Sequence, residues 1–221
     1  MKATIVPSLL FVSSLVLAQN PADMKFQDAS PRGAPASLSV KYDPEIGLYA
    51  AVRNESGEAI LAFFAIIKST DSRGQSVPCH SRADLVFKDS VLAPQAEQFA
   101  CPMDISMGLN KHSPSIVKAA GAVLWVQFEN GSTWGDPATG KQILSLRPKK
   151  LAYLQKLVAE YDDHGETAFN AMSQDQNIDP HIWAVAGCLM EDAKSKGIPA
   201  INLAKARLQV AHKWESLLGP F

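Results

Sequence analysis

Cysteine is scarce in this 221-residue chain, with three in all, and neither sign of charge prevails: 21 Lys and Arg stand against 22 Asp and Glu. With that balance and no block of like charge, the footprint expected of a nucleic-acid binder or of a protein held on an anionic membrane is missing. Catalytic motifs are missing too. There is no His-Glu-x-x-His, no Cys/His zinc spacing, no calcium loop of alternating Asp and Asn, and no Gly-x-Ser-x-Gly. His80, His112, His164, His181 and His212 never recur at i, i+3 or i+4, so no helix face offers two of them to a metal. Neither a metal nor an organic cofactor is expected.

Two near-matches fail on context. Gly135 to Lys141, GDPATGK, has the spacing of a phosphate-binding loop, but Gln142 stands where Ser or Thr would hold magnesium, and the segment follows a hairpin. Asp162-Asp163 and Glu191-Asp192 are adjacent in sequence, so on a helix they diverge around the axis and cannot share a proton. Asn54-Glu55-Ser56 and Asn130-Gly131-Ser132 fit the glycosylation acceptor pattern, yet both are also ordinary turn sequences.

Among what is present, the start of the chain speaks first. Lys2 precedes an apolar run from Ile5 to Leu17 that ends in Val16-Leu17-Ala18, with small or β-branched residues at the −3 and −1 positions. This is the pattern of a secretory signal peptide over residues 1–18, cleaved after Ala18. The run is shorter than the roughly 20 residues a membrane span needs, so no span is expected in the mature chain. The expected location is secreted or periplasmic.

In an oxidising compartment, three cysteines imply one disulfide and one leftover thiol. Cys79 and Cys101 flank strand-like runs and are the natural pair. Cys188, in the apolar stretch AVAGCLM, reads as a buried, inert thiol.

Residues 19–36, rich in Pro, Ala and small polar residues, read as a flexible lead-in. Residues 37–137 then carry period-2 patterns broken by turn signals, as an all-β sandwich requires. Leu38, Val40 and Tyr42 alternate up to Asp43-Pro44, and Leu48, Ala50 and Val52 continue on a second strand. The run 59–67, apolar on both faces, is expected as a strand buried on both. Residues 69–81 read as a long polar connection, and Ala83, Leu85 and Phe87 as a further strand. Gly121 to Asp136, GAVLWVQFENGSTWGD, is the clearest hairpin: Ala122, Leu124, Val126 and Phe128 share a face, and Asn130-Gly131 suits a type I′ turn. That turn would set Gln127 opposite Trp134 and bring Trp134 beside Trp125.

Residues 138–221 change to a period near 3.6. Leu151, Leu154, Val158 and Tyr161 form a stripe after Pro148, a second stretch runs from Glu166 to Ser173, and Asp179-Pro180 opens a third helix that Gly197 and Pro199 end. A last helix spans about 200–218. The expected architecture is therefore mainly β plus α: an immunoglobulin- or fibronectin-like antiparallel β-sandwich followed by a helical region that packs on one sheet and hides Trp125 and Trp134. If the helices do not cover them, Trp125, Trp134 and Tyr49 form an aromatic platform for a protein, peptide or glycan partner. The function expected is that of an exported, non-enzymatic binding or structural module. The alternative is a secreted hydrolase assembled from distant polar residues around His80, Asp104 and His112.

Overall fold

The computed structural model describes residues 24–43, 47–88, 90–102, 116–175 and 177–218, so the leader, Asp104 and His112 lie outside the described residues. Eight strands form two sheets, followed by helices. In the larger sheet the order is β1 (Lys25–Asp28), β7 (Ile116–Phe128), β4 (Ile60–Asp71), β5 (Ser76–Asp84), with β8 (Thr133–Gly135) on one end of β7. The smaller sheet runs β2 (Ala36–Asp43), β3 (Gly47–Asn54), β6 (Glu97–Pro102). All pairings are antiparallel except β1 with β7.

The sheets face each other across one core. Leu38, Ala50 and Val52 from the small sheet meet Phe63, Ala65, Ile67 and Val123 from the large one. Gly121 sits where the sheets leave no room for a side chain, since a Cβ there would lie 2.8 Å from a Leu38 methyl and from the Ile66 carbonyl. The first half of strand β4, residues 60–65, is buried on both sides, as its continuous apolar run demands. Its second side has two covers. Leu61 packs with Leu151, Leu154 and Leu157 of α2 (Arg147–Ser173), whereas Ala62 and Phe64 pack with Trp125 and with Ile143 of α1 (Pro137–Leu144). Each buried leucine contributes about 2 kcal/mol of transfer free energy, so the helices and the sheet stabilise one another.

Local signals set the helix ends. The Asp136 carboxylate accepts from the Ala138 and Thr139 amides to open α1, with Pro137 in its first turn. Gly165 at φ 81° breaks α2 into the two helical stretches the sequence suggests. Asp179 caps α3 (Pro180–Lys196), and Gly197 ends it in the left-handed conformation, φ 64°. Next come α4 (Ala200–Lys213) and a final turn, α5 (Glu215–Leu218). Among the described residues no helix is long and apolar enough to cross a membrane.

Four local expectations need correction. Within the stretch read as lead-in, β1 adds a parallel strand to β7, fixed by Asp28, whose carboxylate accepts from the Ser30 and Leu38 amides. The polar stretch 69–81 is mostly strand: β4 and β5 form a long hairpin closed over residues 72–75, and β5 is polar because it is an edge strand with one face in water. Leu85 to Phe87 form a buried 3-10 turn instead of a strand. The fourth concerns the hairpin at Asn130-Gly131. Gly131, at φ 88°, donates to the Phe128 carbonyl, the Phe128 amide donates to Ser132, and Asn130 keeps a negative φ. This is a type I turn with a glycine bulge, not type I′. The loop is therefore one residue longer, so Trp134 pairs with Val126 and Gln127 with Thr133. A one-residue change in register moves a side chain to the other face, which sends Trp134 toward the inter-sheet core.

Candidate functional site

Register fixes what the larger sheet presents on its outer face. Lys25 pairs with Lys118, Lys118 with Thr70, and Thr70 with Ser76; the next row is Gln27, Ala120, Lys68 and Pro78. Beyond it Ala122, Ile66 and His80 align, then Trp125, Phe64 and Arg82. Alternate residues of the same strands, among them Phe26, Ile67, Cys79 and Ala119, point into the inter-sheet core. Helix α1 covers the last row: Trp125 is 1% exposed, and a Cβ on Gly140 would lie 2.3 Å from its indole nitrogen. The other rows are open, with Lys25, Lys68, His80 and Lys118 exposed, and at the outer edge of the last row Arg82 is exposed too.

The charge of this open area is of one sign. The strands contribute four Lys or Arg side chains and His80; the one carboxylate among these strand residues that points to this side, Asp84, lies beneath α2, where it is bonded to Arg147 and close to Lys150, and Asp71 is buried. Phe64 holds two of these side chains. The Arg82 guanidinium stands 5.3 Å from the ring centroid and the His80 ring contacts it edge-on at 5.9 Å. Thr70 and Ser76 share a hydroxyl hydrogen bond of 2.9 Å. Ala120 and Ala122 leave the middle low.

The helical region is tied to this sheet by a buried ion pair. Asp84, at the end of β5, accepts from Arg147 Nε at 3.1 Å and Nη2 at 2.9 Å, while Arg147 Nη1 donates to the Leu217 carbonyl at 3.0 Å. The Arg147 side chain is fully buried and that of Asp84 is 6% exposed.

The three aromatics singled out in the sequence are not brought together. Trp125 lies under α1, Trp134 is half-buried against the inter-sheet core, and Tyr49 stacks on Phe99 at 5.4 Å on the small sheet. Phe99, 46% exposed, had no sequence signal beyond its place in a short strand. Of the residues suggested for a hydrolytic site, only His80 is described, and it belongs to the open cationic face. Among the described residues no group of three or more His, Cys, Asp and Glu is placed to hold a metal.

Cys79 and Cys101 are near one another as free thiols, one on each sheet, where Ser81 of β5 also donates to the Ala100 carbonyl of β6. Burial, followed by the hydrogen bond and charge of Cys79, pushes the Cys101 thiol far above the ordinary range. Cys188 is exposed, not buried as its apolar neighbours suggest, because it falls on the outer side of α3 between the inward Ala186 and Leu189. Asn54 is no glycan acceptor in the folded chain: it is fully buried, and its amide donates to the Glu58 and Leu92 carbonyls.

A cleft of about 350 Å³ between the 88–90 segment and helices α3 and α4 is lined by Lys88, Asp192, Lys196, Arg207 and Lys213. Its charge is largely spoken for. Arg207 pairs with Asp192, and Lys196 and Lys213 stand in last helical turns, where they complement the carbonyl ends.

Comparison with known proteins gives no match, whether to a protein-family model, to a curated protein or to a solved structure.

Proposed function

We propose that this chain is an exported, non-enzymatic binding module, with an immunoglobulin- or fibronectin-like sandwich braced by C-terminal helices, and that it engages an anionic partner through the open face of its larger sheet. The observation that carries this reading is the one-signed charge of that face. A solvated sheet face normally mixes charges of both signs, because like charges on neighbouring strands repel. Lys25 beside Lys118, with Lys68 and Arg82 on the next strands, accepts that repulsion with no exposed carboxylate among the described strand residues of the face, since Asp84 is buried and committed to Arg147.

Export is supported by the leader-like start and by the nearness of Cys79 and Cys101, which an oxidising compartment would join across the two sheets. The test compares the mature protein with a face variant, Lys68→Glu/Arg82→Glu/Lys118→Glu, and a control of equal charge change on the helices, Lys149→Glu/Lys156→Glu/Lys194→Glu. Salt-sensitive retention on the outer surface of the producing cells is expected for the native and control proteins and lost in the face variant. Equal retention of all three would overturn the reading.

A further inference from the structure

We infer that the ligand of the open sheet face is an extended acidic polysaccharide, bearing carboxylates or sulfates, laid across Ala120 and Ala122; this rests on the reading of that face as the binding surface. The shape comes first. Four strands spaced about 4.8 Å apart are about 14 Å across, and the three open rows, about 6.8 Å apart, extend about 14 Å along them, reaching roughly 20 Å on the edge strand as far as Arg82. It is shallow, since its middle is Ala120, Ala122 and the half-buried Ile66. A shallow strip with charges spread along it suits a chain with repeated anions better than a single small anion, which needs converging groups in a pocket.

The chemistry of the strip narrows the class. A single-stranded nucleic acid is held by aromatic rings open to its bases. Here the rings are closed off: Phe64 is 6% exposed beneath Arg82, and Trp125 is under α1. An anionic bilayer is held by cations together with large apolar side chains that enter the interface. On these strands the exposed large apolar side chains among the described residues are Val77 and Val117, both at one end of the sheet and both short, and no aromatic or leucine side chain protrudes from the strip. What lies between the cations is Gln27, Thr70 and Ser76, an amide and two hydroxyls of the kind that bond sugar hydroxyls. Arg82, steadied over Phe64, presents the planar fork that takes a carboxylate or sulfate with two bonds. Lys25, Lys68 and Lys118 supply point charges farther along the strip.

Calorimetric titration of the mature protein separates the alternatives. The probes are an oligogalacturonate and a heparin octasaccharide for the two anionic groups, dextran as the neutral glycan, oligo-dT, polyglutamate, and phosphatidylglycerol vesicles. We expect at least one acidic glycan to bind, more weakly as salt is raised, and about tenfold more weakly still in Lys68→Glu/Lys118→Glu, whose two reversed charges each cost a surface ion pair and add a repulsion. Dextran, oligo-dT, polyglutamate and vesicles should not bind at comparable affinity. If oligo-dT, polyglutamate or vesicles bind as tightly as the glycans and the face variant loses all of them, the glycan assignment is overturned while the binding face stands. If the variant binds the acidic glycans as well as the native protein does, or if no anion binds, both readings fall. Circular dichroism of the variant excludes misfolding as the cause of a loss.

Discussion

Removing the Asp84 carboxylate is the most incisive perturbation of this fold, because it leaves a guanidinium with no exposure to water and no counter-charge. Asp84 is the one carboxylate bonded to Arg147 among the described residues, and the remaining guanidinium contact is to the neutral Leu217 carbonyl. Stranding a buried charge in this way costs about 3–5 kcal/mol. For a chain of this length that lowers the melting temperature by roughly 10 °C. The reciprocal change, Arg147→Met, should cost less. It leaves Asp84 with Lys150, whose ammonium is 3.9 Å away and 18% exposed, so the stranded carboxylate keeps a partner. The double variant Asp84→Leu/Arg147→Met removes both charges and should recover to within about 1–2 kcal/mol of the native protein, since a buried pair replaced by apolar groups is often near neutral. Urea unfolding followed by far-ultraviolet dichroism and by tryptophan fluorescence measures all three. The first reads the helices, and the second includes Trp125, which is buried at the junction of α1 and the sheet. In the native protein the two transitions should coincide. The reasoning fails if Asp84→Asn costs less than about 1 kcal/mol, or if the effects of the two single changes simply add, because groups in direct contact must couple.

Three further outcomes follow from local geometry. In reduced native protein, iodoacetamide should label Cys188 first and Cys101 last, and because folding raises the Cys101 pKa, the stability of the reduced form is complete below the ordinary thiol value near 8.5 and declines as pH climbs above it; oxidation to a 79–101 disulfide should abolish that decline and raise stability by about 3 kcal/mol, and early labelling of Cys101 would contradict its burial. Gly140→Ala should cost about 1–3 kcal/mol and alter the tryptophan emission, since the added methyl would lie 2.3 Å from Trp125 Nε1; a silent substitution would mean that α1 does not rest on the indole. The Asp136 carboxylate is held below its usual pKa first by the Thr139 hydroxyl and then by the Ala138 and Thr139 amides, so its contribution to α1 is present above the unfolded value near 3.9 and is lost as pH falls through the lower folded one. Protection factors of the α1 amides, taken against the intrinsic exchange rate at each pH, should therefore fall in acid in the native protein and be low at all pH values in Asp136→Ala.

Much of the fold was legible because burial imposes a period. Strand β4 announces itself as an uninterrupted apolar run, α3 by Asp179-Pro180 at one end and Gly197 at the other, and the break in α2 by Gly165. The errors arose where a strand is only half buried or a turn adds one residue. Residues 69–81 read as a polar connection because the outward positions of β5 there are Ser76, Pro78 and His80, and its inward positions include Cys79 and Ser81, neither strongly apolar. Asn130-Gly131 serves a three-residue loop as well as a two-residue one, and nothing in the flanking residues weighs one against the other. That single residue decides whether Trp134 stands beside Trp125 or across the sheet from it.

The candidate binding face was hidden for a related reason. Its charges lie on four strands, separated in sequence from Lys25 to Lys118, and on each strand the neighbours of a charge point into the core. A search for runs of like charge sees isolated lysines in a chain whose totals nearly cancel. Only register gathers them, and register depends on the turn and second strand of the β4–β5 hairpin and on the parallel strand β1, which the sequence read largely as polar connection and lead-in. The helices complete the argument by what they leave uncovered. Helix α1 and the leucines of α2 cover the apolar end of the outer face at Leu61, Phe64 and Trp125, where exposure would be costly. Beyond them the face needs only to be polar to stay soluble, and alternating charges would serve that purpose with less repulsion. Fold stability therefore accounts for the polarity of the strip and not for its single sign, which is why the sign, rather than the exposure, points to an anionic partner.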